Sequence, residues 1–274
     1  MSARFHAVVL AGDRGPDDPV ARHAGVACKA LALLGGRPML LRVLDALAAS
    51  TAVSGVTLVG PSQVQLSTCP ALVARIDSGE VAWLPPAPSP SQSALVGLAS
   101  VPTSTPVLLT TADHALLQAA WVDALCAAAH ATGKDALVGL ARHATVQATF
   151  PQSRRTALRF RDGAYCGCNL FAFLSPAGRR APEFWRHIEQ QRKRPYRLAA
   201  ALGPGTLLAY LCGWLTLDAG LARLSRQVGA QLGAVLLDDP RAAVDVDSVA
   251  DFELVERLLA DAPQPGIRCA RQGG

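Results

Sequence analysis

The sequence predicts an α/β protein, a three-layer α/β/α sandwich built on a mainly parallel, twisted sheet. Three observations carry this. Short, almost continuously apolar runs such as Phe5–Leu10 and Pro106–Thr110 read as strands buried on both faces. Helical patterns alternate with these runs, the order that a parallel sheet with crossover helices requires. Of 274 residues, half are hydrophobic and only 17% are charged, enough apolar surface to cover both faces of a sheet.

Taken in order, Phe5–Leu10 is the first strand, and residues 11–28 form a loop rich in Gly, Asp and Pro. Pro38 is expected to open a helix as its first residue, because its φ is preset and its missing N–H is not needed there. That helix runs to about Ser50. Val56–Val59 and Val81–Leu84 are the next strands, followed by a Pro/Ser loop over 85–93 and a short helix over Ser93–Ser100. Pro106–Thr110 is a strand ending in Thr111-Ala112-Asp113-His114, with a helix after it to about Thr132 and a strand at Ala136–Ala141. From 143 to 165 the sequence turns polar and reads as a loop or an antiparallel excursion. Asn169–Leu174 is a further strand, 182–227 reads as two or three helices, Ala234–Leu237 as a late strand and Val249–Leu259 as the last helix. One domain is expected over 1–274, with an insertion at about 143–230.

The net charge is +5, from arginines spread along the chain with small clusters at Arg154/Arg155, Arg159/Arg161 and Arg192/Lys193/Arg194. Such scatter fits small anionic ligands and argues against a nucleic-acid groove. Only three lysines are present, Lys29, Lys134 and Lys193, against a strong preference for arginine. The seven cysteines contain no C-x-x-C pair, so a structural zinc site is not expected; Cys166-Gly167-Cys168 is close enough for redox or metal chemistry but also fits buried thiols in a reducing cytoplasm. No cleavable leader is expected at the N-terminus. The apolar stretch 198–217 is broken by Gly203-Pro204-Gly205 and Gly213, so membrane contact is not expected; a homodimer face or a lipid-linked acceptor stays open there.

Ligands of such sheets sit beyond the carboxyl ends of the strands. After the first strand stands Leu10-Ala11-Gly12-Asp13-Arg14. Gly12 is either a simple turn or a point of close backbone approach to phosphate, with N–H groups as donors. Neither a Walker pattern nor a clean G-x-G-x-x-G is present. Downstream come Lys29-Ala30-Leu31 and Gly36-Arg37-Pro38-Met39-Leu40. Together these segments resemble the opening of MobA-like nucleotidyltransferases, of the nucleotide-diphospho-sugar transferase fold. The resemblance covers 5–50 and 104–114 best, 244–258 fairly and 143–230 weakly. It implies that Leu10, Ala11, Gly12 and Asp13 wrap an NTP, with Arg14 and Lys29 stabilising its phosphates. Two features depart from the pattern. Asp13 replaces a second glycine, and the interval from Arg14 to Lys29 is longer. Asp13, Asp17 and Asp18 either turn outward or help to hold a metal.

Asp113 ends an apolar strand, where it is either a helix N-cap or a Mg²⁺ ligand facing α-phosphate oxygens. The resemblance favours the ligand, although His114 and Ala115 replace the usual continuation. It implies Asp247, in Asp245-Val246-Asp247-Ser248, as the second metal ligand, with Asp245 held in reserve. Asp251 reads as a first-turn helix residue. The resemblance also assigns base and ribose contacts to the Gln92-Ser93 segment, which reads equally as a capped loop. It assigns the acceptor side to Asn169, while Lys193, in a basic run before Pro195, is either a ligand of acceptor phosphate or a solvated helix end. The implied activity is Mg²⁺-dependent transfer of NMP to a small phosphorylated acceptor in the cytoplasm. Two alternatives remain: a nucleotide-sugar-dependent glycosyltransferase, which would want an Asp-x-Asp after the middle strand where this sequence has Asp113-His114-Ala115, and a non-catalytic nucleotide-binding protein.

Overall fold

The computed structural model describes residues 3–12, 15, 17–191 and 203–261. The central sheet runs β10 (Leu232–Leu236), β7 (Ala136–Arg142), β9 (Gly163–Phe173), β6 (Val107–Thr111), β1 (Phe5–Leu10), β4 (Val53–Val59), β5 (Val81–Leu84), with β8 (Leu158–Phe160) paired to the outer part of β9. β1 pairs in parallel with both β4 and β6, β4 with β5 and β7 with β10. β9 runs antiparallel to β6, β7 and β8, so the mostly parallel sheet is mixed where the polar 143–165 region turns back on itself.

Alternation along the strands explains the three layers. On β1, Ala7 and Val9 face one core with Leu40 and Leu44 of α2 (Met39–Ala49) and Val122 and Leu125 of α6 (Ala119–Thr132). Val8 and Leu10 face a second core with Ala94 and Leu98 of α5 (Pro90–Ala99). α5 lies so close to the sheet that a Cβ on Gly97 would come within 2.4 Å of Val8 Cγ1.

Pro38 does not open α2 as its first helical residue. It pairs with Leu33 in a small antiparallel ribbon, β2 (Leu33–Leu34) with β3 (Arg37–Pro38), and its ψ of 133° is extended, so the helix begins at Met39. The pairing claims Pro38 before the helix can. Strand β4 starts three residues before the expected Val56, and β9 six before Asn169, because each is extended by pairing with a neighbour. The 143–165 region holds a helix, α7 (His143–Thr149), besides β8. Short helices α1 (Pro19–His23) and α3 (Gln63–Leu66) start at side-chain caps, Asp18 for α1 and the Ser62–Gln65 capping box for α3, while α4 (Pro70–Asp77) opens on Pro70 without one. α8 (Ala181–Gln191), α9 (Pro204–Leu211) and α10 (Leu217–Val228) supply the expected helical pieces, and α11 (Val249–Ala260) is the last described helix.

Among the described residues no helix is long and apolar enough to cross a membrane. Cys166 and Cys168 are both buried free thiols. Burial pushes the Cys168 thiol up to about 12, which leaves it an inert thiol.

Candidate active site

Three central strands end together. The Ala11 N–H donates to Val59 O at 2.9 Å and the Ala112 N–H to Leu10 O at 2.9 Å, which aligns the loops after β1, β4 and β6. The approach is tight enough to require glycine at position 60, where φ is +85° and a Cβ would lie 2.7 Å from Ala11 O. Leu10 and Ala11 are buried in this junction. Gly12 is different: its φ is outside the left-handed region and a Cβ would meet no described atom within 4 Å. Neither a left-handed backbone nor a described neighbour therefore requires glycine there. Asp13 and Arg14 lie outside the described residues. Asp18 faces inward, and its Oδ1 caps α1 by accepting from the N–H groups of Val20 and Ala21.

Lys29 opens a 3₁₀ turn, Lys29–Leu31, held by its buried neighbours Cys28, Ala30 and Leu31. The residue is 8% exposed. Its Nζ donates to Asp113 Oδ2 at 2.9 Å, to Val246 O at 2.9 Å and to Asp247 Oδ1 at 3.2 Å. The Val246 N–H in turn donates to Asp113 O at 3.0 Å, so the late segment is fastened to the end of β6 by both faces of one residue. The Thr111 hydroxyl donates to Asp113 Oδ1 at 2.5 Å. Burial alone would raise the Asp113 carboxyl, but the Lys29 charge and the Thr111 and Lys29 hydrogen bonds outweigh it and hold the group below the ordinary range. Asp113 does not cap a helix, since α6 begins at Ala119 with Gln118 at its N-cap.

Asp245 points the other way. Its Oδ1 accepts from Arg155 Nη1 and its Oδ2 from Asn169 Nδ2 at 3.0 Å. Asn169 sits at the irregularity of β9 with φ of +48°, a conformation asparagine tolerates better than most residues. Arg155 Nη1 also donates to Asp245 O at 2.9 Å, and Nη2 to Asp251 Oδ1 at 2.7 Å. Asp251 closes a capping box with Ser248, and its Oδ2 accepts from the Asp247 N–H at 3.3 Å. Burial, with Asp113 and Asp247 nearby and only partly opposed by Arg155, raises the Asp245 carboxyl to about 6. Arg155 is a residue that sequence reasoning missed. Its partners stand 90 and 96 residues away, and nothing local distinguishes it from Arg154.

A family model described as the MobA-like NTP transferase domain matches residues 7–177, more than half of the chain. The chain belongs to this family. No curated protein sequence matches it. Among solved structures, this MobA-like NTP transferase is similar to a hypothetical transferase from Thermus thermophilus, with 30% identity, a TM-score of 0.74 and coverage of 91% of this chain and 99% of that one. A CMP:2-keto-3-deoxy-manno-octonic acid synthetase complexed with CTP is 12% identical, with a TM-score of 0.57 and coverage of 94% and 99%. A 4-diphosphocytidyl-2C-methyl-D-erythritol synthase from Anaerococcus prevotii is 11% identical, with a TM-score of 0.58 and the same coverage. At such identities the last two share the nucleotide-diphospho-sugar transferase fold.

Gln92 and Ser93 lie in the first turn of α5. The Ser93 hydroxyl accepts from the Ala87 N–H at 3.1 Å and so shapes the preceding loop. Gln92 Oε1 is buried without a hydrogen-bond partner. Lys193 lies outside the described residues. Thus Lys29, Asp113 and Asp247 meet, Asp245 and Asn169 meet beside them, and Gln92 and Ser93 stand on a separate helix. No group of three or more His, Cys, Asp or Glu side chains arranged to hold a metal occurs among the described residues.

Proposed function

We propose that this protein transfers an NMP unit from an NTP to a small phosphorylated acceptor and releases pyrophosphate, with Mg²⁺ as cofactor. The observation that carries the reading is the meeting of Asp113, Asp247 and the Lys29 ammonium at the carboxyl ends of the parallel strands, beside the loop after β1. Family membership over residues 7–177 supports NTP chemistry.

The donor set fits Mg²⁺. Asp113 and Asp247 offer hard carboxylate oxygens. Asp113 and Asp247 would hold the ion, with Asp245 in reserve. When bound, Mg²⁺ withdraws charge from the α-phosphate and from the departing pyrophosphate.

The chain's own residues do the rest. An acceptor phosphate oxygen attacks the α-phosphorus, the bond from it to the bridging oxygen breaks, and pyrophosphate leaves. The attacking oxygen is already anionic, so no strong base is needed, and positioning with charge neutralisation supplies catalysis. Lys29 and Arg14 offset phosphate charge. Leu10, Ala11, Gly12 and Asp13 wrap the triphosphate, and the lack of any described atom within 4 Å of a Cβ on Gly12 supports backbone approach to it. Gln92, whose buried Oε1 is an acceptor awaiting a donor, is assigned to a base N–H, with Ser93 shaping its loop. Residues 143–230, with Asn169 and Lys193, form the acceptor side of a single domain. Pyrophosphate release with Mg²⁺, each of the four NTPs and a panel of sugar, polyol and pterin phosphates tests the reading. Release that needs one NTP and one acceptor together supports it; a nucleotide-sugar consumed without pyrophosphate would replace it with glycosyl transfer.

A further inference from the structure

We propose that the Lys29 ammonium and the divalent ion compete for the same two carboxylates, so that the site takes up metal together with nucleotide and not ahead of it. This rests on the metal reading above.

Asp113 Oδ2 and Asp247 Oδ1, the carboxylates assigned to the metal, both accept from one Lys29 Nζ. The ammonium is compact, and it has three donors for Asp113, Asp247 and Val246 O. A second cation on those oxygens would stand within a few ångströms of it, and the Lys29 and Asp113 side chains, 10% and 18% exposed, are only weakly screened by solvent. The backbone cannot carry Lys29 away, because Cys28, Ala30 and Leu31 are buried on either side of it and the Leu31 N–H is bonded to Cys28 O at 3.0 Å. Only the outer part of the side chain can rotate. Rotation would take the ammonium away from Asp113 and Asp247, and a triphosphate beside the loop after β1 supplies charged acceptors in their place. Ammonium and metal therefore exclude each other in the empty site. With nucleotide present the ammonium moves to phosphate and frees the carboxylates. Each ligand then raises the affinity of the other by the same factor.

The substitution Lys29→Met removes the charge and keeps the apolar stem. Without nucleotide, Mn²⁺ should bind this variant at least about tenfold more tightly than the wild type, measured by electron paramagnetic resonance of free Mn²⁺. Asp113→Asn should abolish the binding in either background. A second readout needs no variant at position 29. The chain has only three lysines, so ¹⁵N-lysine labelling yields three side-chain ammonium signals, and Lys134→Arg and Lys193→Arg assign the third. Mg²⁺ titration should shift the Lys29 signal with the midpoint of metal binding. Equal Mn²⁺ affinity in wild type and Lys29→Met, or an unmoved Lys29 signal at saturating Mg²⁺, would overturn the competition while Asp113-dependent binding keeps the metal reading. Absence of binding in every protein would overturn both.

Discussion

Arg155 Nη2 lies 2.7 Å from Asp251 Oδ1, while its Nη1 bonds to the backbone and side chain of Asp245. One guanidinium, its side chain 8% exposed, thus spans the segment that delivers Asp247 to Lys29. Replacing it with alanine leaves two carboxylates without their cation. Arg155→Ala should cost about 3–5 kcal/mol of stability in urea unfolding. Arg155→Lys should recover only part of this, because an ammonium cannot engage both carboxylates in a fork. Equal stability of all three proteins would show that the pairing contributes nothing.

Two glycine-to-alanine changes should have opposite consequences. At Gly97 the new methyl would overlap Val8 and crowd Val59, so Gly97→Ala should lift α5 and cost about 1–3 kcal/mol. At Gly12 the methyl would meet no described atom within 4 Å, so Gly12→Ala should change stability by less than about 0.5 kcal/mol. The same variant should bind NTP more weakly, because the backbone there is assigned to phosphate. Calorimetry for binding and melting for stability separate the two effects; unaltered NTP affinity in Gly12→Ala would remove that loop from the nucleotide site.

His114 is buried, and burial lowers its pKa from 6.5 to about 4 against the opposing pull of Asp113. The folded state keeps the ring neutral while the unfolded chain takes up a proton below 6.5. Its contribution is therefore fully present above pH 6.5 and is lost as pH falls toward 4, by about 3 kcal/mol. The ring stacks on Trp121 at 5.9 Å, which phenylalanine can imitate. His114→Phe should flatten the loss of stability across that window, and a slope identical to wild type would assign the acid sensitivity elsewhere.

The parts of the fold that could be read from sequence are those whose apolar period is long. β1, β5, β6 and α11 stand within a residue or two of expectation, because both faces of a buried strand and the inner stripe of a helix must be apolar. The β2–β3 ribbon and the short helices carry no such period and are set by caps and tertiary pairing. The start of α6 is displaced for the same reason: the chain makes a turn through His114 and Leu117 before the helix begins. At the site, Lys29, Asp113 and Asp247 stood out because they lie in the segments that resemble the MobA-like nucleotidyltransferases, Asp113 also because it ends an apolar strand. The pairing of Asp245 with Arg155 and Asn169 did not, since it joins residues separated by 90 and 76 positions through a bulged strand.

The central claim is that the carboxylate at the end of β6 serves transfer and not folding. The most direct test compares pyrophosphate release by wild type and Asp113→Asn with the NTP and acceptor that the panel identifies, alongside their melting temperatures. The asparagine keeps the shape and can still meet Thr111 and Lys29, so the fold should persist while turnover falls by at least about 100-fold. Turnover within a few-fold of wild type in a folded Asp113→Asn protein would contradict the account.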